Sequence, residues 1–265
     1  MSGTHANFQG SIPDFYDRCL GPFLFEPYAA DLARRLTASA DARVLEVACG
    51  TGVATKSLRA ALPAQAHLVA TDLNAAMLDV ARANLAGIDV HWRTADAAAL
   101  PFKDEAFDAV TCQFGYMFLP DRGQGFREAR RVLRRGGTLL ASVWCPLEDN
   151  PAAAIVHGVA AHLFPDDPPQ FLLTPYGSMD GEALRTLATE AGFTRVAVER
   201  VALEGRAVSA RLVATGFAKG SPLSQELLAR GADLDAVVDA FEEPLVAHGG
   251  TPFRSPMAAL ILTAS

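Results

Sequence analysis

The stretch Val44-Leu45-Glu46-Val47-Ala48-Cys49-Gly50-Thr51-Gly52 constrains the chain more than any other. An apolar run bounded by a Gly-x-Gly turn reads as a short buried strand that turns sharply into a helix. Glycines in such a turn let backbone approach a ligand closely, and the helix start that follows offers free N–H groups and the positive end of a dipole. A second apolar run, Val69-Ala70-Thr71, ends at Asp72. That carboxylate falls at about the 20-residue spacing at which a nucleotide ribose is held.

The periods that follow repeat this unit. Strands are expected at 43–48, 67–71, 88–94, 107–114 and 138–144, and helices near 53–62, 74–85 and 122–134, the last stopped by Gly136-Gly137. Asn74 is a candidate cap for the second helix, with Ala75, Met77, Leu78 and Ala81 as its apolar stripe. Strands that are apolar throughout and separated by helices indicate an α/β fold, a doubly wound parallel sheet covered on both faces. A helical pattern at 27–36 precedes the first strand.

Beyond Trp144 the alternation pauses. A helical pattern at 152–164 leads into Pro165, Pro168, Pro169 and Pro175, then a helix at 180–191 and a strand at 193–203. Residues 206–247 read as helical in two pieces broken at Gly220-Ser221-Pro222, and 257–263 as a closing strand. No repeat or low-complexity linker interrupts the chain. The expectation is a single domain over 1–265, with an N-terminal arm or lid at 1–36 and insertions at 146–179 and 206–250 capping a substrate pocket.

Composition narrows the partners. Of 265 residues, 23 are Lys or Arg and 30 Asp or Glu, a formal net charge of −7. General affinity for nucleic acid or an anionic membrane is not expected at that balance. The basic cluster Arg127, Arg130, Arg131, Arg134 and Arg135 reads as the solvated face of a helix. No run approaches the ~20 apolar residues that span a bilayer, and the first residues lack the pattern of a signal peptide. Cys19, Cys49, Cys112 and Cys145 are widely spaced, which argues against a zinc site or a disulfide framework and suits a reducing cytoplasm. His157 and His162 are not at helical metal-ligand spacing, so no metal is expected.

Which nucleotide the turn would take depends on finer detail. A nicotinamide or flavin fingerprint requires a third small residue three positions after the second glycine, where this chain has Thr55. Glu46, inside the first strand, is costly to bury as a charge unless a cationic ligand group or a set of N–H donors relieves it.

Taken together, Val44–Gly52, Asp72, Asp96-Ala97 and Phe107–Trp144 resemble the class I S-adenosylmethionine-dependent methyltransferases, in the small-molecule branch related to the ubiquinone and menaquinone methyltransferases. The resemblance covers residues 40–145. It implies a Rossmann-like seven-stranded sheet whose last strand is antiparallel, S-adenosyl-L-methionine as cofactor, and methylation of a small-molecule acceptor at O, N or C.

It also implies roles. Glu46 and the turn Ala48, Cys49, Gly50 and Gly52 would line the methionine part of the cofactor. Asp72 would accept from the ribose hydroxyls, with Leu73 and Met77 beside the adenine. Asp96 and the Ala97 backbone would take the adenine edge, and Gln113 and Phe114 would lie near the sulfonium. Tyr16, in the arm, is a further cofactor candidate. Ala48 stands where glycine is commoner in the family, a change that slightly tightens the space beneath the cofactor.

Each of these residues also has a plainer reading: Asp72 as a helix cap, Met77 as core, Asp96 as a loop cap, Gln113 as a backbone partner, Tyr16 as packing. Phe23, Tyr116, Trp144, His157, Phe164, Phe171 and Tyr176 are the expected acceptor-pocket lining, suited to an aromatic or apolar molecule. His157 and Tyr116 are the candidate bases. Two alternatives stay open, a catalytically silent cofactor-binding protein and an NAD(P)-dependent oxidoreductase. The chain is expected to be a monomer or homodimer.

Overall fold

The computed structural model describes residues 12–265; the start of the expected arm, including Phe8, lies outside them. The chain opens on helix α1 (Ile12–Phe15), a wider π-helical stretch (Tyr16–Phe25) and α2 (Glu26–Arg35). Glu26 in the first turn of α2 and Arg34 and Arg35 in its last complement the helix dipole. Strands and helices then alternate through β1 (Arg43–Val47), α3 (Val53–Ala61), β2 (His67–Asp72), α4 (Ala75–Asn84), β3 (His91–Thr94), β4 (Phe107–Gln113), α5 (Arg122–Val132) and β5 (Leu133–Trp144). The remainder is α6 (Pro151–Leu163), α7 (Gly181–Glu190), β6 (Val196–Ala207), α8 (Ala210–Lys219), α9 (Leu223–Ala229), α10 (Leu234–Gly249) and β7 (Phe253–Ala264).

The seven strands form one sheet in the order β3-β2-β1-β4-β5-β7-β6. The pairs from β3 to β5 are parallel, and β7 runs antiparallel to β5 from Leu139↔Ala264 to Trp144↔Ala259. This is the Rossmann-like sheet with an antiparallel last strand that the resemblance implies. The strand order reverses between β1 and β4, and in such sheets the crevice beyond the carboxyl ends at the reversal is where ligands bind.

Several expected boundaries move: β3 begins at His91 rather than 88, β6 runs Val196–Ala207 rather than 193–203, and β7 begins at Phe253 rather than 257. Gly136-Gly137 does not stop α5, which ends at Val132; β5 begins directly at Leu133 and runs through both glycines. The register against β4 shifts between Phe107 and Ala109, and Gly136 takes φ +76°. A Cβ at Gly137 would lie 3.0 Å from the Asp108 carbonyl, so the glycines serve a bulge rather than a helix end. Residues 206–247 form three helices rather than two: a further break falls at Gly231, with φ +76°, before Asp233 caps α10 by accepting from the Asp235 N–H.

Contacts divide the chain into two compact units. One comprises Tyr28–Trp144, Met179–Val201 and Ala259–Ser265, and holds β1 to β5 entire. Its core packs Val44, Leu68 and Ala109 of the sheet against Leu58 of α3, Leu62 just beyond its end and Ala33 of α2. Here the arginines of α5 and early β5 face acids: Arg131 engages Glu128 at 2.7 Å and Asp104 at 2.8 Å, and Arg134 engages Asp108. Arg127 and Arg135 lie 3.6 Å from Asp121 and 3.8 Å from Glu105.

The other unit comprises, of the described residues, 12–27, Cys145–Ser178 and Ala202–Ala258. Phe23 packs its ring against Phe253 at 5.5 Å and fits beneath Gly205, where a Cβ would come within 2.5 Å of it. The buried Asn150 side chain donates to the Cys145, Pro146 and Ala258 carbonyls and accepts from the Ala258 N–H. The proline-rich segment is held to α9: Glu226 accepts from the Gln170 and Phe171 N–H groups, and Arg230 donates to the Asp167 carbonyl. Among the described residues no helix is long and apolar enough to cross a membrane.

Candidate cofactor site

The site begins where β1 ends. Val44 to Val47 are buried, with Glu46 level with Ala70 on β2 and Thr111 on β4. Ala48, Gly50 and Gly52 then take φ values of +54°, +56° and +88°. The Cys49 N–H donates to the Thr71 carbonyl at 2.9 Å, and the Gly52 N–H to the Cys49 carbonyl at 3.0 Å, which closes the turn into α3. A Cβ on Gly50 would meet nothing within 4 Å, so the turn faces open space there. A Cβ on Gly52 would lie 3.0 Å from Leu85 and 3.3 Å from Ala81, so this glycine lets the end of α4 close on the start of α3.

Ala48 departs from what its sequence position suggests. The extra methyl group matters less than the backbone, because a left-handed φ costs a non-glycine residue roughly 1–2 kcal/mol. Room for the methyl comes from Gly115, where a Cβ would stand 2.5 Å from that of Ala48 and 2.7 Å from the Cys112 sulfur.

Asp72 ends β2 facing this turn. Its Oδ2 accepts from the Gly50 N–H at 2.8 Å and its Oδ1 from the Asn74 N–H at 2.8 Å. Asn74 is the cap of α4, accepting from the Ala76 N–H at 3.0 Å, which leaves Asp72 for the turn. Burial pushes the Asp72 carboxyl up, and the Asn74, Gly50 and Leu73 N–H groups pull it back. Beside it Leu73 is 64% exposed, whereas Met77 is buried. Asp96 is exposed and its Oδ1 accepts from the Ala98 N–H, which is the loop-capping arrangement; Ala97 is half-buried.

At the end of β4, Gln113 is half-buried and Phe114 is buried with φ +55°. The Phe114 ring stacks on Trp144 with centroids 3.9 Å apart and planes 3° from parallel, and Tyr28 meets both rings edge-on. The Tyr28 hydroxyl donates to the Val201 carbonyl at 3.1 Å.

Glu46 shares the face of β1 on which Val44 packs against Leu58, and Thr55 lies one helical turn before Leu58. The Glu46 side chain is 1% exposed and its Oε2 has no hydrogen-bond partner, nor do the buried hydroxyls of Thr51 and Thr55. Burial pushes the Glu46 carboxyl up to about 8; the nearby Thr55 hydroxyl pulls it down without closing a hydrogen bond, and the Asp72 charge adds to the rise. Burial also lifts the Cys49 thiol well above its ordinary value and Cys112 to about 12, so neither is a thiolate at neutral pH.

Thus the structure brings together Glu46, Ala48, Cys49, Gly50, Gly52 and Asp72, in one unit with Leu73, Met77, Asp96, Ala97, Gln113 and Phe114. Tyr16 belongs to the other unit, where its ring stacks on Phe25 at 4.7 Å. The expected acceptor residues divide as well: Tyr116 and Trp144 belong with the sheet, and Phe23, His157, Phe164, Phe171 and Tyr176 with the helical unit. Tyr116 is buried with its ring 4.7 Å from Phe126 and its phenol raised well above the ordinary value, which suits packing rather than proton transfer. His157 is half-buried on α6.

Five residues are not announced by the sequence: Asn74 as an N–H donor, Thr55 beside the acid, the buried Thr51, Gly115 behind Ala48, and Tyr28 on the aromatic stack. The Asp-x-Asn spacing is a signal for the first; the others have none.

An adenosyl cofactor fits this arrangement on its own terms. An open glycine turn, a carboxylate held by backbone at the adjacent strand end, and a buried acid with an unpartnered oxygen are what a ligand with ribose hydroxyls and a cationic end requires.

Residues 44–137 match the family model described as a methyltransferase domain. A demethylmenaquinone methyltransferase of Deinococcus radiodurans is 35% identical over 153 residues, 57% of this chain and 61% of that protein. A ubiquinone/menaquinone biosynthesis C-methyltransferase of Hahella chejuensis is 42% identical over 105 residues, 38% of this chain and 42% of that one. The chain spans about half the length of the curated relatives it matches. Among solved structures, the YcgJ protein of Bacillus subtilis aligns over 90% of this chain and 97% of its own with a TM-score of 0.56 at 17% identity. The [4+2]-cyclase SpnF aligns over 90% and 80% with a TM-score of 0.54 at 20% identity. Residues 44–137 are thus similar to a methyltransferase domain of the kind carried by the quinone methyltransferases, on the sheet order seen in the solved structures it resembles.

Proposed function

We propose that the chain transfers a methyl group from S-adenosylmethionine to a small aromatic or apolar acceptor of the quinol kind, as a monomer or homodimer in the cytoplasm, with no part for nucleic acid. The observation that carries the cofactor reading is the Asp72 carboxylate held by the Gly50 and Asn74 N–H groups. Each oxygen keeps a second lone pair for a ribose hydroxyl. The quinone methylation for which the relatives are named supports the acceptor class.

Bound there, S-adenosylmethionine would supply a methyl group already activated by its sulfonium. The chain's own work is then to hold and align. Glu46 and the Ala48–Gly52 turn take the amino-acid end, Asp72 the ribose, Leu73 and Met77 an apolar wall, Asp96 and Ala97 the adenine edge, and Gln113 and Phe114 the methyl-bearing end. Alignment of two reactants alone supplies up to ~7–11 kcal/mol of a barrier. His157 is the candidate proton acceptor for an acceptor that must ionise. Selection of the acceptor falls to the insertions expected at 146–179 and 206–250.

Transfer of labelled methyl from S-adenosylmethionine to a reduced demethylquinone tests the proposal. Calorimetry supports it if S-adenosylmethionine binds, and overturns it if NADH binds and S-adenosylmethionine does not. The rival reading is a cofactor-binding chain that methylates nothing. Label incorporation into any acceptor in a cell extract separates the two.

A further inference from the structure

We propose that the Glu46 carboxyl is neutral in the empty protein and becomes a carboxylate when the cofactor's ammonium group is seated beside it, so that cofactor binding expels a proton into solution. This rests on the cofactor reading above and goes beyond it, to the protonation chemistry of the site.

Glu46 lies in the second-to-last position of a strand paired on both sides, so its own backbone cannot turn the side chain toward water. No Lys, Arg or His pairs with it among the described residues. The groups that face it are the Thr55 hydroxyl from α3, the Asp72 carboxyl from β2, the Cys49 thiol from the turn and the Cys112 thiol from β4. Both thiols are held protonated, and Asp72 contributes only negative charge. A buried carboxylate with no cation and no N–H donor on one oxygen is expensive, and protonation is the way out open to the empty protein.

A cationic ligand reverses the balance. An ammonium within hydrogen-bond reach favours the charged form and offers the donor that Oε2 lacks. The Oε2–H bond breaks, its electron pair stays on the oxygen, and the proton leaves to buffer. The Thr55 hydroxyl, buried with no partner, can turn toward either form of the acid. The carboxyl pushed up to about 8 agrees with this geometry.

Calorimetry of S-adenosylmethionine binding at pH 6.5, in buffers of different ionisation enthalpy, counts the protons directly. At that pH the ligand's own ammonium, with a pKa near 7.7–8.0, stays almost wholly charged. Release of close to one proton per cofactor is expected, with affinity rising nearly tenfold per pH unit from 5.5 to 6.5. S-adenosylhomocysteine keeps the ammonium and lacks the sulfonium, so it should expel as much. Glu46→Gln should bind without release.

Binding with no proton released and no pH dependence overturns the proposal and leaves the cofactor reading standing. Failure of S-adenosylmethionine to bind overturns both. Release that persists in Glu46→Gln, or that is lost with S-adenosylhomocysteine, overturns the assignment to this acid and this ammonium. The wild-type pH series decides the matter alone should Glu46→Gln fail to fold.

Discussion

Replacing Glu46 by Gln should change how the stability of the empty protein depends on pH, in a direction opposite to that of an ordinary carboxylate. The folded carboxyl sits at about 8 because burial disfavours its charge, against an ordinary value of 4.5 in the unfolded chain. Between those values the folded state binds a proton that the unfolded state has lost, so stability falls as pH rises from about 4.5 to about 8 and is level on either side. That rise, at ~1.4 kcal/mol per pH unit, amounts to ~5 kcal/mol of stability lost across the window. Glutamine does not titrate, and its amide leaves a buried group as poorly partnered as the protonated acid, a constant offset of about 1–3 kcal/mol at most.

Urea unfolding of both proteins from pH 5 to 8.5 isolates the titration as the change in their stability difference. Glu46→Gln should gain on the wild type steadily over this range, by several kcal/mol in all. Asp72, also raised by burial, titrates in both proteins and drops out of the difference. A stability difference that stays flat from pH 5.5 to 8 would refute the reasoning, because it would mean the acid is already ionised.

Other expectations follow from single contacts. Asp72→Ala removes the acceptor for the Gly50 and Asn74 N–H groups, and S-adenosylmethionine affinity by calorimetry should fall at least tenfold. Gly115→Ala should destabilise by about 1–3 kcal/mol, since its Cβ would stand 2.5 Å from that of Ala48; Ala48→Gly in the same chain should recover part of the loss in chemical denaturation. Glu128 accepts from Arg131 and from the Leu100 N–H, which holds its carboxyl below the usual range. Glu128→Gln should therefore cost about 1–3 kcal/mol at pH 7, and the cost should shrink as pH falls below about 4.5, read from urea midpoints at each pH. Tyr28→Phe should cost about 1 kcal/mol through its bond to the Val201 carbonyl while the ring stack at Phe114 persists, visible as unchanged near-ultraviolet dichroism.

The parts of this chain legible in the sequence are those whose cause is local. Val44–Val47 reads as a buried strand because every residue but the acid is apolar, and Gly50 and Gly52 announce a turn because only glycine takes their φ cheaply. The alternation of strand and helix to Trp144 required a parallel sheet for the same reason. Where local signals compete, the reading slipped. Gly136-Gly137 looks like a helix stop and is a strand bulge, because pairing with β4 carries the chain straight out of α5 at Leu133. Gly231 carried no weight beside Gly220-Ser221-Pro222, yet the chain breaks at both.

By itself, then, the order of residues determined the sheet, the turn and the Asp72 that faces it, since strand period, glycine torsions and the spacing from turn to acid are written within about thirty residues. Tertiary structure alone decided the charge state of Glu46, the pairing of Ala48 with Gly115, and the stacking of Phe114 on Trp144 with Tyr28 edge-on to both. Each of these depends on which groups are brought near and which solvent is removed, and burial is a property of the assembled neighbours. A glutamate in a strand reads the same whether it faces water or Thr55 and Leu58; only the fold takes the water away.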